Sequence, residues 1–381
     1  MVNPDSRIWV TGMAWTTALG TALDPVWELL LDEASGVTEA ASPLPLRSNR
    51  AAVVPGLPPD SSPSHRQHEL TRRTLSAALK DAGVEPEDPA LVPVLGTSYG
   101  AHLDQTETAS LSWWSTAAVR DVGLVAEPVT VTTACSAGSD AVLTALALLQ
   151  EGAAELCVCG GADVLTLGKR LGHSRLGTMS PDALRAFDTR HNGTVLGEGA
   201  AFLVLEPAAR ARARGARPRG TLAGAASSND AASAVAPDPS GANVVLAVER
   251  ALRTAHITPA DISVINAHGS GTPVNDDVEA RAYSRLFAQV PSPPTVFATK
   301  GAFGHTLGAT GAIEAVAVLQ ALATSMAPPV HGLRDPIPQL ALSAPARHPM
   351  KIAQGYGLSV TLGFGGFNTC LVLRGPEGAA A

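Results

Sequence analysis

Lysine, aromatic residues, cysteine and long apolar runs are all scarce in this 381-residue chain, and each shortage excludes something. Aromatics make up 4% and the net charge is −7, with no polybasic tail, so a nucleic-acid surface is not expected. Cysteine occurs at 135, 157, 159 and 370 only, without the spacing of a disulfide framework or a zinc site. Such thiols read as reduced, in a cytoplasm. The opening "MVNPDSRIWVTG" lacks the charged, apolar and cleavage regions of a secretory signal. The longest apolar runs, 141–149 and 315–323, read as too short and too Ala-rich to span a bilayer. With 45% apolar and 16% charged residues the chain can bury a large core. The expectation is a soluble intracellular protein of two domains, or of two similar halves.

What the sequence does contain is repetition. "AALKDAGVEPED" (77–88) resembles "RALRTAHITPAD" (250–261) at an offset of 173. "CSAGSDAVLTALALLQ" from Cys135 resembles "HTLGATGAIEAVAVLQ" from His305 at an offset of 170. The pairs occur in the same order, which predicts a duplicated α/β fold. Each half reads as helix, turn, strand, then a Gly-rich loop and a helix poor in charge on every face, hence buried. Alternating strands and helices predict parallel-leaning sheets covered on both faces. Chance similarity of Ala-rich helices is the alternative. The seam is expected near 217–228, after the Arg-rich "ARARARGARPRG".

Three residues stand where strands give way to helices. Cys135 opens a helix among Ala134, Ser136, Ala137 and Gly138, where free amides and the helix dipole favour a nucleophilic thiolate. The same amides can hold an oxyanion. On these residues alone, a buried structural thiol serves equally well. His268, in "NAHGSGTPVND", and His305, in "KGAFGHTLGATGA", both sit among glycines that let a ligand approach the backbone. By the repeat, His305 takes the place of Cys135 in the second half. Lys300 is one of four lysines.

"TTACSAGSDAV", "NAHGSGTPVNDDVEA", "ATKGAFGHTLGATGAIEA" and "GFGGFNTCLVL", in this order, resemble the signature blocks of β-ketoacyl-(acyl carrier protein) synthases. These are condensing enzymes of fatty acid and type II polyketide synthesis. "AFDTRHNGTVLGEGAAFLVLEP" and "SSNDAASAVAPDPSG" resemble two further family segments, so the likeness covers essentially the whole chain. It implies the thiolase fold: α/β, a duplicated five-layered αβαβα sandwich. Residues 1–220 would carry the nucleophile and 221–381 both catalytic histidines. By resemblance, Cys135 accepts the acyl chain, His268 and His305 act on a malonyl-type extender, and Lys300 and Glu314 support the site. Phe364 gates it and shares the oxyanion hole with Cys135, while Ser270 and Thr272 bind the phosphopantetheine arm. No cofactor or metal is implied beyond the phosphopantetheine of an acyl carrier protein. The implied partners are that carrier and a second subunit, identical or related as in a chain-length factor, with no nucleic acid and no membrane. Arginine in place of lysine and abundant alanine suit a GC-rich genome and a secondary-metabolic pathway.

The match has departures. Residues 100–128 look short where relatives shape the acyl pocket and dimer contact, and Trp113 and Trp114 there read as packing or interface residues. His191 and Asn192 replace a family Arg-Asp, with Arg190 beside them as a substitute. Phe367 follows "GFGG" where a smaller residue is common, and is expected to narrow the approach near Phe364. Rival readings remain: "GTSYG" fits a serine-hydrolase elbow at Ser98, and "GGADVLTLGKR" loosely resembles a phosphate loop. The run 210–219 is a solvated helix face or a basic docking patch. An acyltransferase that does not decarboxylate, or a non-catalytic partner subunit, are the functional alternatives.

Overall fold

The computed structural model describes residues 7–58, 61–104 and 110–376. The first residues of the opening segment, 1–6, and part of the short run, 105–109, lie outside the described residues. Five strands of the first half are β1 (Ile8–Thr16), β2 (Leu91–Gly96), β3 (Val129–Val131), β4 (Leu156–Asp163) and β5 (Gly199–Pro207). Five more follow: β6 (Gly220–Asn229), β7 (Ile262–Asn266), β8 (Thr295–Phe297), β9 (Tyr356–Gly363) and β10 (Phe367–Arg374). Together they make one ten-stranded sheet. Read outward from its centre, one side runs β1-β5-β4-β2-β3 and the other β6-β10-β9-β7-β8, the same order twice. In each set four strands share a direction and one, β5 or β10, opposes its neighbours. The sets join where β1 pairs antiparallel with β6, Trp9 facing Thr221.

Helices fill the remaining layers: α1 (Pro63–Ala82), α2 (Ala137–Gln150), α3 (Leu167–Arg175), α4 (Ala242–Ala255), α5 (Pro273–Leu286) and α6 (Thr310–Thr324). α2 and α6 each pack on strands of both sets, whereas α1 lies on the first set and α4 on the second. The ten-stranded sheet thus supplies two five-stranded layers with α2 and α6 packed on both, the duplicated five-layered αβαβα sandwich of the thiolase fold. Position between layers explains composition. Every residue of β4, "LCVCGGAD", is buried, since helices cover both its faces. α1 instead buries one stripe, including Leu70, Leu75 and Leu79, and starts with Ser62 accepting the His65 N–H.

α6 revises one expectation. With its preceding 3₁₀ turn it forms an eighteen-residue apolar helical stretch, Leu307–Thr324, long enough to cross a bilayer. Nearly all of it is buried between the two sheet layers, so its all-round apolarity belongs to a core helix.

The repeat register also changes. A left-handed residue ends α1 at Gly83 and α4 at His256, 173 residues apart. The 3₁₀ turns Ala134–Ser136 and Leu307–Ala309 open with left-handed Ala134 and Leu307 at the same offset of 173. The counterpart of Cys135 is therefore Gly308, and His305 lies three residues earlier in the loop. Matching the helices by small-residue similarity slipped by one turn. At their starts the helices touch reciprocally: a Cβ on Gly138 would meet Ala312, and one on Gly311 would meet Ser139.

Candidate active site

Cys135 sits in the 3₁₀ turn directly before α2, buried between Leu196 and Leu307. The turn needs an unusual backbone: Ala134 has φ of 50° without being glycine. Asp140, in the first turn of α2, holds it by accepting from Thr133 Oγ1 on one side and from Thr369 Oγ1 of β10 on the other. Thr369 of the second half thus braces the turn that carries Cys135.

The thiol differs from the sequence expectation of a resting thiolate. Burial pushes its pKa up to about 11, against the pull of the Lys300 charge and of the Phe364 backbone N–H, which donates to the sulfur. At rest Cys135 is a protonated thiol, because desolvation outweighs the helix terminus. Phe364 lies in the tight turn joining β9 to β10, where Gly366 has φ of 79° and a Cβ would fall 2.1 Å from the Asp230 carbonyl. That packing fixes the Phe364 amide.

Both histidines share the cavity of Cys135, which has a volume of about 340 Å³. Their rings stand edge to face, with centroids 5.2 Å apart. Each is pushed well below the usual histidine range, first by burial and then by the Lys300 charge. Both are neutral at pH 7. His305 is held by backbone bonds to the first half, its N–H donating to the Val195 carbonyl and its carbonyl accepting from Gly197. Its Nδ1 accepts the Leu307 N–H at 3.3 Å, which places the ring proton on Nε2. The buried Nδ1 of His268 has no hydrogen-bond partner among the described residues.

Lys300 and Glu314 form a fully buried ion pair beneath the histidines. Burial pushes Glu314 up to about 8 against the pull of Lys300. Ser270 and Thr272 line the cavity, their hydroxyls 2.9 Å apart. All eight sequence-predicted site residues are brought together, six of them on the cavity wall and the ion pair behind it.

Other expectations fare differently. Phe367 does not narrow the approach: as the first residue of β10 it faces away from the cavity while Asn368 faces in, and its ring packs over Gly365. Arg190 does not stand in for its neighbours, since it pairs with Asp188, while His191 Nδ1 lies 3.1 Å from Asp276. The arginine run is engaged rather than free: Arg210 and Arg214 pair with Glu206, Arg219 with Asp81, and Arg212 lies over Trp9. Trp114 is 3% exposed and packs in the core, whereas Trp113 is 52% exposed. Ser98 does not line the cavity; its N–H donates to Asp163. Lys169 of the loop-like "GGADVLTLGKR" is buried against Asp163. Among the described residues no cluster of three His, Cys, Asp or Glu is placed to hold a metal ion.

Sequence reasoning missed the residues that hold the site. Glu279 of α5 accepts the His268 and Gly269 N–H groups at 2.8 and 2.7 Å, and also the Tyr283 hydroxyl and Asn275 amide. Burial pushes it up to about 7. Asp276 receives the Phe187 and Gly271 amides, fixing the loop of Ser270 and Thr272. Asp163 of the first half accepts the Gly308 N–H at 2.8 Å, at the start of the second-half turn. The signal was present in "NDDVEA", three acids on a helix whose inner face carries Asn275, Asp276 and Glu279 at helical spacing. His173 of α3 stacks on Phe364, with centroids 5.4 Å apart, and was not singled out either.

The family pattern "Beta-ketoacyl synthase, N-terminal domain" matches residues 5–211, and "Beta-ketoacyl synthase, C-terminal domain" matches residues 219–334. The 3-oxoacyl-[acyl-carrier-protein] synthase 2 of Mycobacterium tuberculosis (strain H37Rv) is 30% identical over 410 residues, covering 95% of each chain. Among solved structures, the ishigamide ketosynthase/chain length factor superposes with a TM-score of 0.88 at 27% identity, covering 98% of this chain and all of that one. A type II PKS ketosynthase in complex with its acyl-carrier protein, bound to the hexaketide, gives a TM-score of 0.89 over 97% of this chain and all of the other, at 23% identity, a likeness of fold. Matched by both family patterns and over 95% of its length by a relative, the chain belongs to the β-ketoacyl synthase family.

Proposed function

We propose that this protein is a β-ketoacyl synthase that condenses an acyl group held on Cys135 with a malonyl thioester, with loss of CO2. The observation that carries the reading is the meeting of one thiol and two neutral imidazoles, from opposite halves, in a single cavity. In the first step the Cys135 sulfur attacks the incoming thioester while its proton leaves, by way of a neutral imidazole, for the departing pantetheine thiol. Such a relay suits a thiol whose pKa is about 11, because no standing thiolate is available. The carbonyl oxygen that becomes negative is held by the Phe364 N–H, already aimed at the sulfur, together with the Cys135 N–H.

In the second step the malonyl thioester loses CO2 to leave an enolate. Its oxygen accepts from the His305 Nε2–H and from His268. The enolate carbon attacks the Cys135 thioester, a carbon–carbon bond forms as the bond from the acyl carbon to the Cys135 sulfur breaks, and the released thiolate takes up a proton from water. Burial first, and then the Lys300 charge, keep both imidazoles neutral. Glu279 sets the His268 backbone, and Ser270 and Thr272 hold the phosphopantetheine arm.

The partners follow from this chemistry and from the relatives. An acyl carrier protein would deliver both substrates; one fold neighbour is a type II PKS acyl-carrier protein in complex with its ketosynthase. A dimer, with an identical or a chain-length-factor-like subunit, would complete the particle, in the cytoplasm. The division at 220/221 separates the half that carries the thiol from the half that carries both histidines. The setting is type II polyketide or fatty-acid-like synthesis. The intact Cys135, His268 and His305 oppose a non-catalytic partner subunit.

Incubation with acyl- and malonyl-carrier proteins tests this. CO2 release with a product one ketide heavier is expected. Bare acyl transfer without CO2 would instead establish the non-decarboxylating alternative.

A further inference from the structure

One wall of the cavity carries hydrogen-bonding groups that the mechanism does not use. His173, Thr178 and Thr194 all line it. His173 stands next to the reacting centre: it stacks on Phe364, whose N–H bonds the Cys135 sulfur, and its charge would be felt at His305. Thr178 and Thr194 are neighbours, the Thr194 N–H donating to the Thr178 carbonyl at 2.7 Å. The Thr178 hydroxyl donates to the His173 carbonyl at 3.2 Å, which leaves its oxygen to accept from His173 Nδ1 at 2.9 Å. Nε2 is then an acceptor, with no partner among the described residues. Thr194 Oγ1 is buried, on a residue 2% exposed, and likewise has no partner among the described residues. A buried unpaired hydroxyl costs about 1–3 kcal/mol, so a saturated chain laid against this wall would leave that cost standing.

We propose that His173 and Thr194 recognise an oxygen carried by the acyl group on Cys135, making oxo- or hydroxyacyl thioesters, rather than saturated ones, the preferred substrates. This rests on Cys135 being the acyl acceptor. A chain carbonyl accepts from the Thr194 hydroxyl, and a chain hydroxyl donates to His173 Nε2. Burial and the Lys169 charge hold His173 down to about 4, so its ring stays neutral and keeps that acceptor at pH 7. A site built to pair with a substrate oxygen rejects an analogue lacking it, because the protein groups are then stranded.

The test compares octanoyl-, 3-oxooctanoyl- and 3-hydroxyoctanoyl-pantetheine. In loading, the pantetheine C–S bond breaks, the Cys135 thioester forms, and the thiol proton passes to the departing sulfur. Rates of adduct formation are read by intact-protein mass spectrometry for wild type, Thr194→Val, Thr194→Ser and His173→Phe. Expected is at least tenfold faster loading of one or both oxygenated chains than of octanoyl by wild type. That ratio should fall at least fivefold in Thr194→Val and in His173→Phe, which keeps the ring stack, and recover in Thr194→Ser. A wild-type ratio near one, or a ratio unmoved by both substitutions, overturns the inference alone. Absence of any Cys135 adduct in wild type overturns the acyl-acceptor reading, and this inference with it.

Discussion

The two helix starts, Ala134–Ser136 and Leu307–Ala309, show how a duplicated fold divides labour. Both open with a left-handed non-glycine residue, both feed a core helix, and the helices abut across the same pseudo-symmetric contact. Yet the first carries a thiol where the second carries Gly308. The difference is steric as well as chemical. A Cβ at 308 would lie 2.1 Å from the Ser98 nitrogen, so the second start is packed against the first half's chain while the first start faces the cavity. The second half contributes its groups from outside that turn, His305 three residues before Gly308 and His268 in the loop after β7. One copy of the turn carries the thiol and opens on the cavity, and the other is packed as buried support.

The comparison can be broken from either side. Lys300→Met removes the charge the histidines feel and strands Glu314 in the core, with an expected loss of about 3–5 kcal/mol in denaturant unfolding. In whatever folded enzyme remains, His268 and His305 rise back toward the usual range. They then gain protons at higher pH, so the acid limb of acyl transfer should move upward. An unmoved limb would show that Lys300 does not set their charge. Gly308→Ala should cost about 3 kcal/mol by forcing Ser98 and Thr97 aside, read from the urea midpoint. A neutral result would mean the second start has room that this packing denies it.

A third effect concerns the thiol itself. Because burial raises the Cys135 pKa above its unfolded value, the folded protein holds the proton between about pH 9 and 11. Iodoacetamide labelling of substrate-free enzyme should therefore be slow at pH 7 and climb with a midpoint near 11. Rapid labelling at pH 7 would mean a standing thiolate. A last contrast sets the two left-handed residues against each other. Ala134→Gly relieves strain and should stabilise by about 1 kcal/mol. Leu307→Gly also removes a buried side chain and should lose about 2–5 kcal/mol by the same measurement.

Much of this was legible before any coordinates. Small residues and glycines at strand-to-helix junctions single out Cys135, His268 and His305 as candidates, the resemblance of the four blocks gives them roles, and the helical repeat betrays the duplication. The register of that repeat was misread by one turn, since Ala-rich helices resemble each other at several offsets and only backbone dihedrals distinguish them. The thiol's protonation was misread because a helix start can be seen in sequence but its burial cannot. Glu279 and Asp163 stayed hidden for a related reason. A carboxylate that accepts backbone amides looks, in sequence, like any solvated acid. Phe367 was misplaced by strand alternation that depends on where β10 begins.

Intact-protein mass spectrometry after exposure to an acyl-carrier protein tests the central claim most directly. The account predicts an acyl adduct on wild type, absent from Cys135→Ala and discharged by malonyl-carrier protein with release of CO2. An adduct that survives in Cys135→Ala, or one that malonyl-carrier protein leaves in place, would contradict it.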